Sequence, residues 1–220
     1  ILDILETHGI CVIPNYLDID SIESMLQQHA LSFEGGDGIQ TQNHPVNEFG
    51  KVARCTLDRL TDQFLETKAL FHSEFVQRIS EIYFGEIPFE LNDEVFFTHE
   101  RESSLEILPW HFDRQQSLKF YINLVDVNLS NGAMWYDLGS QREGHFRANS
   151  HLLSGTPISA IPNDIPEAEI RKPLAISVSA GDLVVFDPDG FHKAGSIEKG
   201  CSRKVVRGHT HPKPLRGYKA

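Results

Sequence analysis

Apolar residues follow two different rhythms along this chain. Over the first third they recur every three to four positions, and beyond Pro88 they come in short runs separated by turn residues. Ile19, Ile22, Met25, Leu26 and His29 sit at helical spacing, and Glu23 three residues after Asp20 makes a capping-box pattern. Together they predict an amphipathic helix over about residues 20–31. Before it, residues 9–14 read as a short strand. Gly35-Gly36-Asp37-Gly38 is a loop, and the stretch from there to about Val52 is polar without a clear period. A second helix is predicted over 62–83, with Phe64, Leu65, Phe71, Phe75, Ile79 and Ile82 as its buried face and Gly85 and Pro88 to stop it.

The later runs are rich in Val, Ile, Phe and Tyr. They cover residues 93–99, 105–111, 118–127, 133–138, 174–178, 183–186 and 203–209. Short strands at such spacing indicate a β-sandwich or barrel. Helices first and strands after indicate an α+β, mainly β, layout with the helices packed on one sheet. Residues 141–173 break the rhythm with Pro157, Pro162, Pro166, Gly144 and Gly155. A stretch that long without a period predicts a lid or binding insert, with a short helix near 166–170. The 220 residues fit one domain.

Composition narrows the function classes. With 20 Lys and Arg against 31 Asp and Glu, the net charge of −11 argues against a nucleic-acid partner. No apolar run is long enough for a membrane span, and the acidic opening residues do not read as a signal peptide. Cys11, Cys55 and Cys201 are too few for a disulfide framework, which points to a cytoplasmic setting.

The candidate chemistry lies in Pro109-Trp110-His111-Phe112-Asp113, at the end of a predicted strand. Residues two apart on a strand share a side, so His111 and Asp113 can converge on one ion. His192 follows another predicted strand and completes a set of two histidines and one carboxylate, the ligand set of non-haem Fe(II) oxygenases. Arg203, eleven residues after His192, offers a planar fork for the far carboxylate of 2-oxoglutarate, with Arg207 on the same strand face as a rival. On 118–127, Lys119, Tyr121 and Asn123 share one face while Phe120, Ile122 and Leu124 share the other. That is the pattern of a strand lining a polar pocket, or of a solvent-facing polar row. Arg142, His145, Arg147 and His151 form a basic cluster in the long insert, suited to an anionic substrate or simply to solvent. His209 and His211 have no carboxylate nearby in sequence and read as structural.

Taken in order, these motifs resemble the phytanoyl-CoA dioxygenase-like Fe(II)/2-oxoglutarate oxygenases. The resemblance begins at Glu6-Thr-His-Gly-Ile-Cys-Val-Ile-Pro-Asn-Tyr-Leu-Asp18 and runs through Trp110-His-Phe-Asp113. It continues in Leu124-Val-Asp-Val-Asn-Leu-Ser-Asn-Gly132 and Gly139-Ser-Gln-Arg142, and closes with Gly181-Asp182, His192 and Arg203. Ala133, Leu138 and Gln141 depart from the family's usual Pro, Pro and His, and none of them is a predicted ligand. The resemblance implies a double-stranded β-helix (jelly-roll) core. It implies Fe(II), 2-oxoglutarate and O₂ as cofactor and cosubstrates, with metal ligands His111, Asp113 and His192. It places Arg203 and Tyr121 at 2-oxoglutarate and Trp135 near the substrate; Lys119, on the same face as Tyr121, is a further cosubstrate candidate, and Arg142 of the basic cluster a further substrate candidate. Asp113 stands where related halogenases have Gly or Ala, which favours hydroxylation over halogenation.

The reading is therefore a hydroxylase that oxidises a small or carrier-linked metabolite, an anionic one among the candidates, and releases succinate and CO₂. Two rivals stand beside it: a cupin-type metal dioxygenase that does not use 2-oxoglutarate, and a non-catalytic jelly-roll binding module.

Overall fold

The computed structural model describes residues 1–35, 38–44, 50–91, 94–103, 109–213 and 215–216. In chain order the helices are α1 (Leu2–His8), α2 (Ile19–Ser32), α3 (Leu65–Phe71), α4 (Glu74–Phe84) and α5 (Gln141–Leu153). The strands are β1 (Ile10–Ile13), β2 (Ile39–Asn43), β3 (Lys51–Thr56), β4 (Phe89–Leu91), β5 (Glu94–Ser103), β6 (Leu118–Asn123), β7 (Met134–Asp137), β8 (Pro173–Ile176), β9 (Leu183–Phe186), β10 (His192–Lys193) and β11 (Ile197–Pro212).

Two helices differ from expectation for local reasons. The N-cap of α2 is Asp18, whose carboxylate accepts from the Ser21 backbone N–H at 2.9 Å, so the helix starts ahead of the Asp20 pattern. The single helix expected over 62–83 is two helices, because the Ser73 hydroxyl accepts from the Val76 N–H and starts α4 afresh. The polar stretch before Val52 contains β2, which pairs with β3, and Val52, Ala53 and Cys55 of β3 are buried. The expected loop residues Gly36 and Asp37 and the first part of the 105–111 strand lie outside the described residues.

The strands form two antiparallel sheets. The larger runs β1-β9-β6-β11-β5-β3-β2, with β4 on the end of β11, and the smaller runs β10-β7-β8. This is the mainly β, jelly-roll architecture. Helices α2, α3 and α4 cover the outer face of the larger sheet. There Leu118, Phe120, Ile122, Leu183, Val185 and Val206 join Met25, Leu70, Phe71, Val76 and Ile79 in one core cluster. Such burial contributes roughly 25 cal/mol per Å² of apolar surface. Gly208 of β11 meets Phe71 here: a Cβ at that position would stand 2.5 Å from the ring, so the helix layer can settle this close only over glycine. The opposite face of the same strands looks into a cavity between the two sheets.

Candidate metal centre

The two histidines are positioned by each other's backbone. The His111 N–H donates to the His192 carbonyl at 3.0 Å, and the His192 N–H donates back to His111 at 2.8 Å. They form one antiparallel bridge pair, so their side chains project to the same side, with ring centroids 4.4 Å apart. Asp113 is fixed by its N–H, which donates to the Pro188 carbonyl at 2.7 Å. Between the ligands, Phe112 turns the other way and is fully buried with Trp110, Ala148, Ile161, Ile165 and Phe191.

Asp113 Oδ1 lies 3.8 Å from Nε2 of both His111 and His192, and one ligand atom from each of the three residues falls within 4.8 Å of the others. Each imidazole has its Nδ1 against a backbone carbonyl, His111 on Pro109 at 2.9 Å and His192 on Gly190 at 2.7 Å. A proton held on Nδ1 leaves the Nε2 lone pair facing the centre, the orientation a metal ligand needs. Ionisation agrees. Burial and the neighbouring His111 push His192 down to about 3, so its ring is neutral. Burial alone would raise the Asp113 carboxyl, but Lys119 and His192 outweigh it and hold the group below the usual carboxylate range. The donor set fits a divalent iron ion of the two-histidine, one-carboxylate type.

The polar face of β6 lines the cavity rather than the solvent. Lys119, Tyr121 and Asn123 face it, together with Arg203, Val205 and Arg207 of β11. Val127, Met134, Ile176, Val178 and Val184 supply an apolar wall. Lys119, expected at the cosubstrate, donates from Nζ to Asp113 Oδ2 at 2.5 Å. Arg203 is gripped from its sides. Its Nε donates to Glu100 Oε2 at 2.5 Å, one Nη also contacts Glu100, and the other Nη donates to the Gly132 carbonyl. A guanidinium has five N–H donors, so this grip leaves the outward pair for a carboxylate. Burial alone would raise Glu100, but Arg203 and His44 pull it down to about 2.

Arg207 is placed differently. Its Nη1 donates to the Tyr121 hydroxyl at 3.2 Å, and its Nε is buried with no acceptor. Burial alone would raise the Tyr121 phenol, but Lys119 and Arg207 more than offset it and bring the group below its ordinary value.

Two expected substrate contacts are not on the cavity lining. Trp135 alternates with Met134 and Tyr136 on β7, and it packs against the Trp110–Phe112 cluster while Met134 faces the cavity. Arg142 is exposed on α5. Two members of the basic cluster are matched by local acids: Arg147 by Glu143 and Glu169, His145 by Asp189. Residues 141–173, expected without regular structure apart from a short helix near 166–170, hold the thirteen-residue α5 and a 3₁₀ turn at Glu167–Glu169. Part of this segment is bonded to the stretch that carries His111 and Asp113. The Phe112 N–H donates to Asn163, the Ile165 N–H to Trp110, and Arg114 Nε to the Ile161 carbonyl.

A polar knot behind His192 was not foreseen. Both ends of the Arg216 guanidinium reach Asp189, whose carboxylate also meets His145 Nδ1 at 3.1 Å. Tyr83 donates to Asp187 Oδ2 at 2.5 Å. Gly144 lets α5 reach this turn, since a Cβ there would stand 1.8 Å from the Asp189 carbonyl oxygen. Only the turn sequence Asp187-Pro-Asp-Gly190 hints at it, because every partner is far away in the chain. Glu100 was missed for the same reason: it meets Arg203 across the β5–β11 register.

A family profile described as phytanoyl-CoA dioxygenase (PhyH) matches residues 5–205. Comparison with curated proteins by sequence gives no match. Among solved structures, the non-heme alpha ketoglutarate dependent carbocyclase SnoK from nogalamycin biosynthesis is similar at 17% identity and a TM-score of 0.69, covering 97% of this chain and 83% of that one. The epimerase SnoN of the same biosynthesis is similar at 15% identity and a TM-score of 0.66, covering 97% and 82%. HygX from Streptomyces hygroscopicus, with nickel, 2-oxoglutarate and hygromycin B bound, is similar at 14% identity and a TM-score of 0.64, covering 99% and 88%. At these identities the likeness establishes a common fold.

Proposed function

The chain belongs to the phytanoyl-CoA dioxygenase (PhyH) family, whose members use Fe(II), 2-oxoglutarate and O₂, and from that premise we propose that it hydroxylates an unactivated C–H bond of a small or carrier-linked metabolite, with release of succinate and CO₂. The observation that carries this reading is the convergence of His111, Asp113 and His192 on one wall of a cavity whose other walls carry a pre-oriented arginine. His111, Asp113 and His192 hold the iron. Arg203 takes the distal carboxylate of 2-oxoglutarate with the two donors that Glu100 and Gly132 leave open. Lys119 holds Asp113 in its ionised form and fixes its rotamer. Bound iron with 2-oxoglutarate and O₂ supplies the oxidising chemistry, and the protein supplies ligand geometry, orientation and a dry wall. Family membership argues against both a cupin-type enzyme without 2-oxoglutarate and a non-catalytic module.

The likeness to a carbocyclase and an epimerase supports a second outcome at the same site, ring closure or stereoinversion in place of hydroxylation. The net charge of −11 favours a small-molecule partner over nucleic acid. No helix among the described residues is long and apolar enough to cross a membrane, and the three cysteines are free, which fits the proposed cytoplasmic setting. Residues 141–173 are proposed to close over bound substrate as one part of a single-domain enzyme.

A screen of metabolite pools with Fe(II), 2-oxoglutarate and O₂ tests the reading by succinate release and product mass. Gain of one oxygen atom supports hydroxylation, loss of two hydrogens supports ring closure, and unchanged mass with changed stereochemistry supports epimerisation. An iron-loaded protein that neither binds nor turns over 2-oxoglutarate would end the proposal.

A further inference from the structure

The charges that line the cavity pair off unevenly. Lys119 is matched by Asp113, and Arg203 by Glu100. Lys193 turns its ammonium over the Trp110 ring, 5.4 Å from the centroid. Arg207 is left with a neutral partner, the Tyr121 hydroxyl, and a buried Nε that has no acceptor. Among the described residues no carboxylate stands within ion-pair distance of it. The guanidinium is also fixed in place, 5.0 Å from the Phe96 ring centroid and 5.7 Å from that of Tyr121, its two cross-strand neighbours. An arginine cannot shed its proton to escape this cost. A buried charge without a counter-ion is strongly destabilising unless something else supplies the opposite charge.

The iron site and its cosubstrate do not supply it. The two positive charges of Fe(II) and the two negative charges of 2-oxoglutarate cancel, which leaves Arg207 still without a counter-ion. On α5, Glu143, Glu169 and Asp189 already occupy Arg147 and His145, and neither Arg142 nor His151 is on the cavity lining. Arg207 lies beside Tyr121 in the β6–β11 register, two positions along β6 from the lysine that touches Asp113. That offset is roughly 7 Å along the sheet.

Building on the 2-oxoglutarate reading above, we propose that the substrate carries a single carboxylate, seated on the Arg207 guanidinium and the Tyr121 hydroxyl. The planar fork of Arg207 matches a carboxylate. The Tyr121 oxygen accepts from Arg207 and turns its own O–H toward the ligand. The subsite anchors the charged end of the substrate on the metal side of the cavity and leaves its C–H bonds to extend toward the His111–Asp113–His192 centre. Arg207 and Tyr121 thereby select monoanionic substrates over neutral or cationic ones, while Arg203 serves the cosubstrate; Tyr121, which the family resemblance puts at 2-oxoglutarate, is on this reading a substrate contact through its bond to Arg207.

The test loads the protein anaerobically with Fe(II) and saturating 2-oxoglutarate, then adds butanoate, butan-1-ol or butan-1-amine. The readout is the metal-to-ligand charge-transfer absorption of the 2-oxoglutarate complex. Butanoate is expected to shift the band saturably, and the alcohol and the amine to leave it in place. Arg207→Gln should weaken the butanoate effect at least tenfold and Arg207→Lys by less. The 2-oxoglutarate titration should move less than twofold in both, which also shows that the variants are folded. The inference is overturned if butanoate has no effect, if it bleaches the band by displacing 2-oxoglutarate, or if the alcohol acts as strongly. It is equally overturned if Arg207→Gln loses 2-oxoglutarate as Arg203→Ala does, because Arg207 would then serve the cosubstrate. Absence of any band in the unmodified iron-loaded protein is a different failure, that of the 2-oxoglutarate reading itself.

Discussion

On the helix side of β6, Leu118, Phe120 and Ile122 are fully buried; one residue away each time, on the cavity side, stand Lys119, Tyr121 and Asn123. On β11, Val206 joins the helix-side core while Arg203 and Arg207 face the cavity. One pair of strands thus carries a stabilising face and a binding face, separated only by the alternation of the chain. The first gains from removing apolar surface from water. The second keeps charged groups between the sheets at an energetic cost, and that cost is offset only where a partner is present. The difference teaches where to look for function: damage to one face should unfold the protein, and damage to the other should spare the fold and abolish a ligand.

The sharpest way to break this contrast is at the metal ligands. His111→Ala or His192→Ala is expected to abolish iron binding and turnover while circular dichroism stays native. Full iron occupancy in either variant would remove the triad. On the other face, Phe120→Ala should cost about 3–5 kcal/mol of stability, as large-to-small core changes do. Below its lowered melting temperature that variant should still bind iron at unchanged stoichiometry, and a selective loss of iron would blur the division.

Arg203→Ala comes next. A charge-assisted hydrogen bond contributes about 1.5–3 kcal/mol, so losing the fork should weaken 2-oxoglutarate at least tenfold, since about 1.4 kcal/mol is one decade. Arg203→Lys should weaken it less, and iron affinity should hardly change. Unchanged 2-oxoglutarate affinity in Arg203→Ala would remove its assignment. Its partner Glu100 gives a pH test. The carboxyl is pulled from an ordinary 4.5 down to about 2 in the folded protein. Its ionised form therefore stabilises the fold above about pH 4.5, and that contribution is lost as pH falls toward 2. Glu100→Gln should flatten the acid limb of the unfolding curve in this window, and an equally steep limb would show that the pair is not coupled to folding. The smallest effect is expected over residues 141–173, where hydrogen exchange should slow when substrate and 2-oxoglutarate bind together. Exchange unchanged by both ligands would argue against closure of this segment.

Much of the binding face was legible in the sequence because strands advertise themselves by alternation. The Lys119, Tyr121, Asn123 row follows from period two; the His111, Asp113 pair was found by the same spacing, although His111 forms only an isolated bridge and Asp113 is held outside any strand by Pro188. What escaped reading shares a physical cause, burial without an apolar stripe. Helix α5 buries Gln141, Gly144 and Ala148, which are polar or small, so no hydrophobic period marks it. The strand β2 is an edge strand with mostly exposed residues and shows no alternation. The break between α3 and α4 needs only the Ser73 hydroxyl, while the apolar spacing runs on across it. Glu100 and Asp189 are unremarkable acids until the register of β5 with β11 and the path of the C-terminal Arg216 bring cations to them.

The central claim is that this cavity holds Fe(II) and 2-oxoglutarate together. Anaerobic titration of the unmodified protein with Fe(II), then with 2-oxoglutarate, tests it most directly. The expected result is one iron per chain, followed by a saturable metal-to-ligand charge-transfer band that fails to form in His192→Ala and needs at least tenfold more 2-oxoglutarate in Arg203→Ala. Iron bound at one per chain without any band at saturating 2-oxoglutarate would contradict the account.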